Sequence, residues 1–141
     1  MSVVIDASAA LGWIFEDETS DLTDQLFNDV RDFGGHVTSF WHLEVANAVL
    51  SAVKRNRINL ADAYERLDLI AVLPIVYDIE TPRLAWGKTI RLAHENHLTT
   101  YDAAYLELAL RLKLPLASFD KALCRAAKHL NNPLYFGQIV P

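Results

Sequence analysis

Short runs of β-branched apolar residues alternate with longer stretches of helical periodicity along the whole chain, and this alternation constrains the fold more than any other feature. Ser2 to Ile5 is apolar and β-branched and stops at Asp6, the pattern of a strand buried on both faces. Helical stretches follow over Ala7 to Phe15 and Ser20 to Phe33, and Gly34-Gly35 breaks the second. His36 to Ser39 reads as the next strand. Trp41 to Asn56 and Leu60 to Leu73 read as amphipathic helices, the second with Asn59 as N-cap. Ile75 to Tyr77 is a third strand. Thr81-Pro82 resembles an N-cap followed by proline in the first turn, opening a helix that runs to about His97. Tyr101 to Lys113 is a further helix, Leu116 to Phe119 a fourth strand, Lys121 to His129 a last helix, and Leu134 to Val140 a fifth strand or edge segment. Strands separated by helices imply a parallel sheet covered on both faces. The reading is an α/β fold in three α/β/α layers with a central parallel sheet.

The 141 residues suit a single domain over 1–141, and no repeat or linker divides them. A content of 52% hydrophobic and 22% charged residues supports a packed core rather than disorder. Cys124 is the one cysteine, which excludes an intrachain disulfide and a cysteine-based zinc site and fits a reducing cytoplasm. No basic stretch opens the chain, and the longest apolar run, Leu69 to Tyr77, contains Pro74, so neither secretion nor membrane insertion is expected. The net charge of −5 speaks against a protein that coats nucleic acid. It leaves room for a nuclease, because carboxylates built to hold cations lower the net charge and a bound divalent ion reverses its sign locally.

Open parallel sheets bind ligands beyond the C-terminal ends of their strands. Asp6 follows the first strand and Asp120 the fourth. Each has two readings, a helix N-cap or a member of a shared site, and parallel topology brings both to one rim. Ser8 and Ser118 stand two residues from these acids, where a hydroxyl holds a carboxylate or makes an ordinary capping bond. On a helical projection Asp102 heads the apolar stripe of Leu106 and Ala109, with Glu107 and Arg111 on the opposite side. An acid that served only the helix dipole needs no particular side, so this placement favours a pocket. Glu44 shares a stripe with Asn47, Ser51, Lys54 and Arg55, which reads first as a solvated face. The five histidines show no H-E-x-x-H arrangement and read as structural or surface groups. His94 and His97 are spaced to share a helical face.

The segments around these acids resemble a known family. Val3-Val4-Ile5-Asp6-Ala7-Ser8 is similar to the opening strand and first acid of PIN domains, and Glu44-Val45-Ala46-Asn47 to their second acidic motif. Thr99-Thr100-Tyr101-Asp102-Ala103-Ala104-Tyr105 resembles the third motif and Leu116-Ala117-Ser118-Phe119-Asp120 the fourth. Their order and spacing, and the chain length, resemble those of the VapC toxins of toxin–antitoxin pairs. The resemblance implies an endoribonuclease that uses Mg²⁺ or Mn²⁺. It makes Asp6, Glu44, Asp102 and Asp120 the catalytic acids, with Asp6 and Asp102 on the metal and Glu44 and Asp120 acting directly or through water. Asn47 and Ser118 match polar positions beside them, Ser118 standing where threonine is common. The same resemblance implies a homodimer, a VapB-type antitoxin that occupies the active-site groove, and a cytoplasmic place of action.

Oxygen ligands alone suit hard cations such as Mg²⁺ or Mn²⁺, and such ions activate water for attack at phosphorus. Two alternatives compete. One is a catalytically silent PIN-like binding module, against which the four filled acid positions argue. The other is a receiver- or phosphatase-like phosphotransfer domain, which usually carries paired acids or D-x-D where this chain has Asp6-Ala7-Ser8. The segment Leu11 to Phe15 carries more large apolar groups than one core-facing stripe needs, so it is either an interface for a partner or wholly buried.

Overall fold

The computed structural model describes residues 1–137. Its centre is a parallel four-stranded sheet of β1 (Val3–Ile5), β2 (Gly35–Val37), β3 (Ile75–Tyr77) and β4 (Leu116–Ala117), in the order β3-β2-β1-β4. Val4 pairs with His36 on one side and Leu116 on the other, so β1 is internal. Its three residues are all buried, as an apolar run without alternation requires of a strand covered on both faces. Helices α1 (Ala7–Leu11), α2 (Asp21–Phe33), α3 (Trp41–Lys54), α4 (Leu60–Ala71), α5 (Thr81–Leu84), α6 (Ile90–Asn96), α7 (Thr100–Leu112) and α8 (Lys121–His129) occur in the expected chain order and build the three layers.

Several expected strands are a residue or two shorter, and the reason bears on function. The ladders stop at Ile5, Val37 and Ala117, and the polar residues that follow (Asp6, Thr38 and Ser118) leave the sheet with their side chains buried at its rim. The first helix also stops early, at Leu11 instead of Phe15: the Trp13 and Ile14 N–H groups donate three residues back, to Ala10 and Leu11, and Gly12 sits so close to α2 that a Cβ there would lie 2.4 Å from Thr23 Cγ2. The chain turns inward after it. Trp13, Ile14 and Phe15 are buried, the indole N–H of Trp13 donating to the Thr23 carbonyl at 2.9 Å and its ring meeting Phe27 edge-on. Of the two readings of this segment, the buried one holds.

Helix α7 departs from the amphipathic pattern. Every residue from Ala103 to Ala109 is buried, Glu107 included at 2% exposure, so its second face is internal rather than solvated. The stretch Thr81 to Asn96 is helical throughout, but Ala85–Thr89 forms a π-helical turn between α5 and α6. Glu80, not Thr81, occupies its N-cap, and the Thr81 hydroxyl donates to the Asp78 carbonyl. His97 ends α6 in the left-handed conformation (φ 56°), off the helical face expected to carry it with His94. Leu134 adds a single parallel bridge to Leu116; positions 138–140 of the expected fifth strand lie outside the described residues. Among the described residues no helix is long and apolar enough to cross a membrane.

Candidate active site

The connection from β1 leads to β2 on one side, while β4 lies on the other, so the C-terminal ends of β1 and β4 flank the topological switch point of the sheet. Asp6 and Ser118 stand there. Asp6 Oδ1 accepts from the Ala9 N–H at 2.9 Å and the Ser8 hydroxyl at 2.7 Å, and Oδ2 accepts from the Ser118 hydroxyl at 2.5 Å. The Ser8 oxygen accepts from the Phe119 N–H at 2.9 Å, and the Ser118 oxygen from the Asp120 N–H at 3.0 Å. Two hydroxyls thus stitch the β1 end to the β4 end through one carboxylate. An ionised carboxylate offers about four lone-pair positions. Three are used, which leaves Asp6 about one for a further partner.

Asp6 caps α1 through Ala9, and Asp120 caps α8 through the Leu123 N–H at 2.8 Å. The capping and site readings are therefore compatible, since capping occupies a single oxygen of each acid. Asp102 lies half-buried in the first turn of α7, its N–H donating to the Thr99 hydroxyl at 3.1 Å.

Glu44 overturns its solvent reading. It sits in the first turn of α3, half-buried, and accepts a short hydrogen bond from the Tyr105 hydroxyl of α7. Asn47, one turn further along α3, is exposed and makes no hydrogen bond to the four acids among the described residues.

Burial pushes the Asp6 carboxyl up to about 6, against its three hydrogen bonds and with the help of the Asp102 charge. Burial raises Glu44, opposed by Tyr105 and assisted by Asp102; burial raises Asp102, assisted by the Asp120 charge. Asp102 is accordingly the hub, close enough to feel or perturb each of the other three acids. Every ion pair among the described residues lies elsewhere: Arg31, Arg57, Arg83 and Arg111 pair with other carboxylates. Among the described residues no side-chain cation pairs with the cluster.

That donor set fits a hard divalent ion by its chemistry, being all oxygen and uncompensated. Among the described residues, however, no three His, Cys, Asp or Glu side chains converge closely enough to cage a metal. The fit is to an ion that keeps several of its waters and takes one or two carboxylates, as Mg²⁺ commonly does.

Two residues beside the acids were not singled out from the sequence. Tyr105 is buried and holds Glu44. Thr38, buried at the end of β2, lies beside the Tyr105 hydroxyl, yet its Oγ1 has no hydrogen-bond partner of good geometry. Both carried a signal. Tyr105 lies three residues after Asp102 on one helix, so the two share a face, and Thr38 follows β2 as Asp6 follows β1. Tyr105→Phe removes the donor but keeps the edge-on contact of the ring with Phe40. It is expected to cost about 1 kcal/mol of stability and to weaken Mn²⁺ binding about tenfold, the usual effect of losing a ligand's supporting partner. Thermal melts and a calorimetric titration measure the two effects separately, and unchanged Mn²⁺ affinity would reduce Tyr105 to a packing residue. Cys124 has no part in this chemistry: burial pushes its thiol up to about 11, and its Sγ donates to the Ser118 carbonyl.

A three-layer α/β/α domain with Asp6 and Asp120 beyond the ends of β1 and β4, at the switch point of its parallel sheet, is the class defined here. The PIN domain profile matches residues 3–129, and the chain belongs to the PIN domain family. PIN domains are generally nucleases and typically use divalent metals. Among solved structures, that of PAE2754 from Pyrobaculum aerophilum is similar in fold, with a TM-score of 0.67 at 22% identity over 89% of this chain and 87% of that one. No curated protein matches the sequence.

Proposed function

We propose that this chain is a metal-dependent endoribonuclease that cleaves RNA phosphodiester bonds and serves as the toxin of a toxin–antitoxin pair. The observation that carries the reading is the uncompensated acid cluster centred on Asp102. Asp6 and Asp102 would hold Mg²⁺ or Mn²⁺, with Glu44 and Asp120 acting directly or through water. The bound ion supplies charge neutralisation at phosphorus and activation of water. Ser8 and Ser118 fix the Asp6 carboxylate so that its remaining lone pair has one direction. Glu44 keeps Oε2 free while Tyr105 engages Oε1, and its raised proton affinity makes it a better proton acceptor than an exposed glutamate.

Cleavage of total RNA with and without Mn²⁺, followed by end mapping, tests the activity. Glu44→Gln is expected to abolish cleavage, and Arg55→Ala, at the exposed C-cap of α3, to leave metal affinity nearly intact. Full activity in Glu44→Gln would reduce the site to three acids; no metal-dependent cleavage by the unaltered chain would end the nuclease reading.

The partners we propose are a small VapB-type antitoxin and a second copy of this chain. A guanidinium from the antitoxin would pair with the acids that lack a cation of their own. Because Trp13 is internal, the apolar contacts belong elsewhere. Leu43 and Leu50 on α3 and Val76 and Tyr77 on the edge strand β3 are exposed and suit self-association. For an enzyme acting on RNA the expected place of action is the cytoplasm.

A further inference from the structure

Three features coincide in the π turn between α5 and α6. Trp86 is 95% exposed, which forgoes one of the largest apolar burials any side chain offers. Gly87 follows it inside a helix, where glycine is unfavourable, yet its φ is not positive and a Cβ there would meet nothing within 4 Å. The turn itself is π rather than α, a deviation frequent at functional sites. Among the described residues Trp86 and Gly87 stay uncovered, although the turn itself packs on α7 and buries Thr89. Their joint effect is an indole that stands clear of the surface with open space beside it.

The charge around this indole differs from the rest of the molecule. Residues 81–96 contain Arg83, Lys88 and Arg91 against one acid, Glu95, in a chain that carries 13 Lys and Arg against 18 Asp and Glu. Lys88 and Arg91 are exposed and make no ion pair among the described residues; Arg83 pairs with Glu80. The π turn and α6 both pack on α7, whose first turn holds Asp102. Trp86 precedes by eleven positions His97, which ends α6 just before the Thr99 cap of α7.

We propose that Trp86, with the exposed cations Lys88 and Arg91 two and five positions beyond it, is a stacking platform for an unpaired base of single-stranded RNA, and that the helix beyond it leads the strand to the acid cluster. This rests on the ribonuclease reading for the choice of ligand. An aromatic face among cations is the arrangement that binds single strands with little sequence preference: the bases stack and the phosphates neutralise the charge. It also supplies what the acid cluster lacks. The carboxylates repel a polyanion, so binding energy has to come from a separate cationic surface.

Trp13 and Trp41 are buried, so the quencher-accessible tryptophan emission reports on Trp86. The full chain is titrated with a single-stranded oligouridylate in EDTA, where metal-dependent cleavage is off. Saturable quenching is expected, lost in Trp86→Phe while that variant keeps most of the affinity. Trp86→Ala should weaken binding about tenfold with its melting temperature unchanged. Lys88→Gln combined with Arg91→Gln should lower the slope of log K against log salt by about 1.4. Equal affinity in Trp86→Ala, or an unquenched indole at saturation, overturns the platform. So does emission that shifts with protein concentration without RNA, because a second copy then covers the indole. RNA binding with quenching but no cleavage in Mn²⁺ would refute the nuclease reading and leave the platform standing. Cleavage with Trp86 indifferent to RNA would do the reverse.

Discussion

Asp6→Asn is expected to melt roughly 6 °C above the unaltered chain at pH 8 without metal, while losing RNA cleavage and most of its response to Mn²⁺. Asp6 is only 4% exposed, and burial outweighs its three hydrogen bonds, lifting its carboxyl from 3.8 to about 6. Between those values the folded chain binds more protons than the unfolded one, so stability falls as pH rises through this window. Above about pH 6 the full cost is present, roughly 3 kcal/mol. Asparagine carries no charge and removes this cost. It returns part of the gain, because its amide faces the Ser118 hydroxyl that donates to Asp6, and about 2 kcal/mol should remain. Melts from pH 4 to 8 in EDTA should show the difference open above pH 6 and close toward pH 4. A variant that melts below the unaltered chain at pH 8, or cleaves RNA at the same rate in saturating Mg²⁺, would remove Asp6 from the site. Asp102→Asn should act in the same direction and less strongly, since Asp102 is half-buried.

The largest loss of stability is expected from Arg111→Ala. Both oxygens of Glu107 accept from this guanidinium, from Nε and from a terminal nitrogen at 3.0 Å each, and the same terminal nitrogen reaches Asp78 at 2.5 Å. Arg111 itself is partly exposed; the buried member is Glu107, and the penalty comes from leaving that carboxylate without a counterion. Breaking such a pair from one side costs about 3–5 kcal/mol, on the order of 10–15 °C for a chain of this size. The link also ties α7 to the turn where Asp78 accepts from the Glu80 N–H and the Thr81 hydroxyl. Glu107→Leu combined with Arg111→Met should recover most of the loss, because apolar residues of similar volume replace buried ion pairs at little net cost. A loss below about 1 kcal/mol in Arg111→Ala would mean that water reaches Glu107 and compensates its charge.

The acids differ in how far they could be read before the chain was folded. Asp6 and Asp120 follow apolar β-branched runs directly, and parallel topology alone carries both to one rim. Asp102 declared itself by heading the buried stripe of α7. Glu44 did not, because its helical neighbours Asn47, Ser51, Lys54 and Arg55 are polar, and only the docking of Tyr105 onto the first turn of α3 brings it to the cluster. Glu107 lies opposite the Asp102 stripe, yet α7 is covered on that side too, and Arg111 makes the burial tolerable.

What the sequence by itself determined are the features governed by residues within about four positions of one another: the alternation of strand and helix, the caps at Asn59 and Asp120, and the break at Gly34. Their causes are local hydrogen bonds and the 2.0 and 3.6 periodicities of side-chain direction, which a short window contains in full. The site's connections were decided only in the tertiary structure. Ser118 reaches Asp6 across 112 positions, Tyr105 reaches Glu44 across 61, and Arg111 reaches Asp78 across 33. The burial that lifts the Asp6 carboxyl and the inward turn of Trp13 likewise depend on which faces pack together. Such packing is a balance of chain entropy, apolar burial and desolvation over the whole chain, and no local pattern records it.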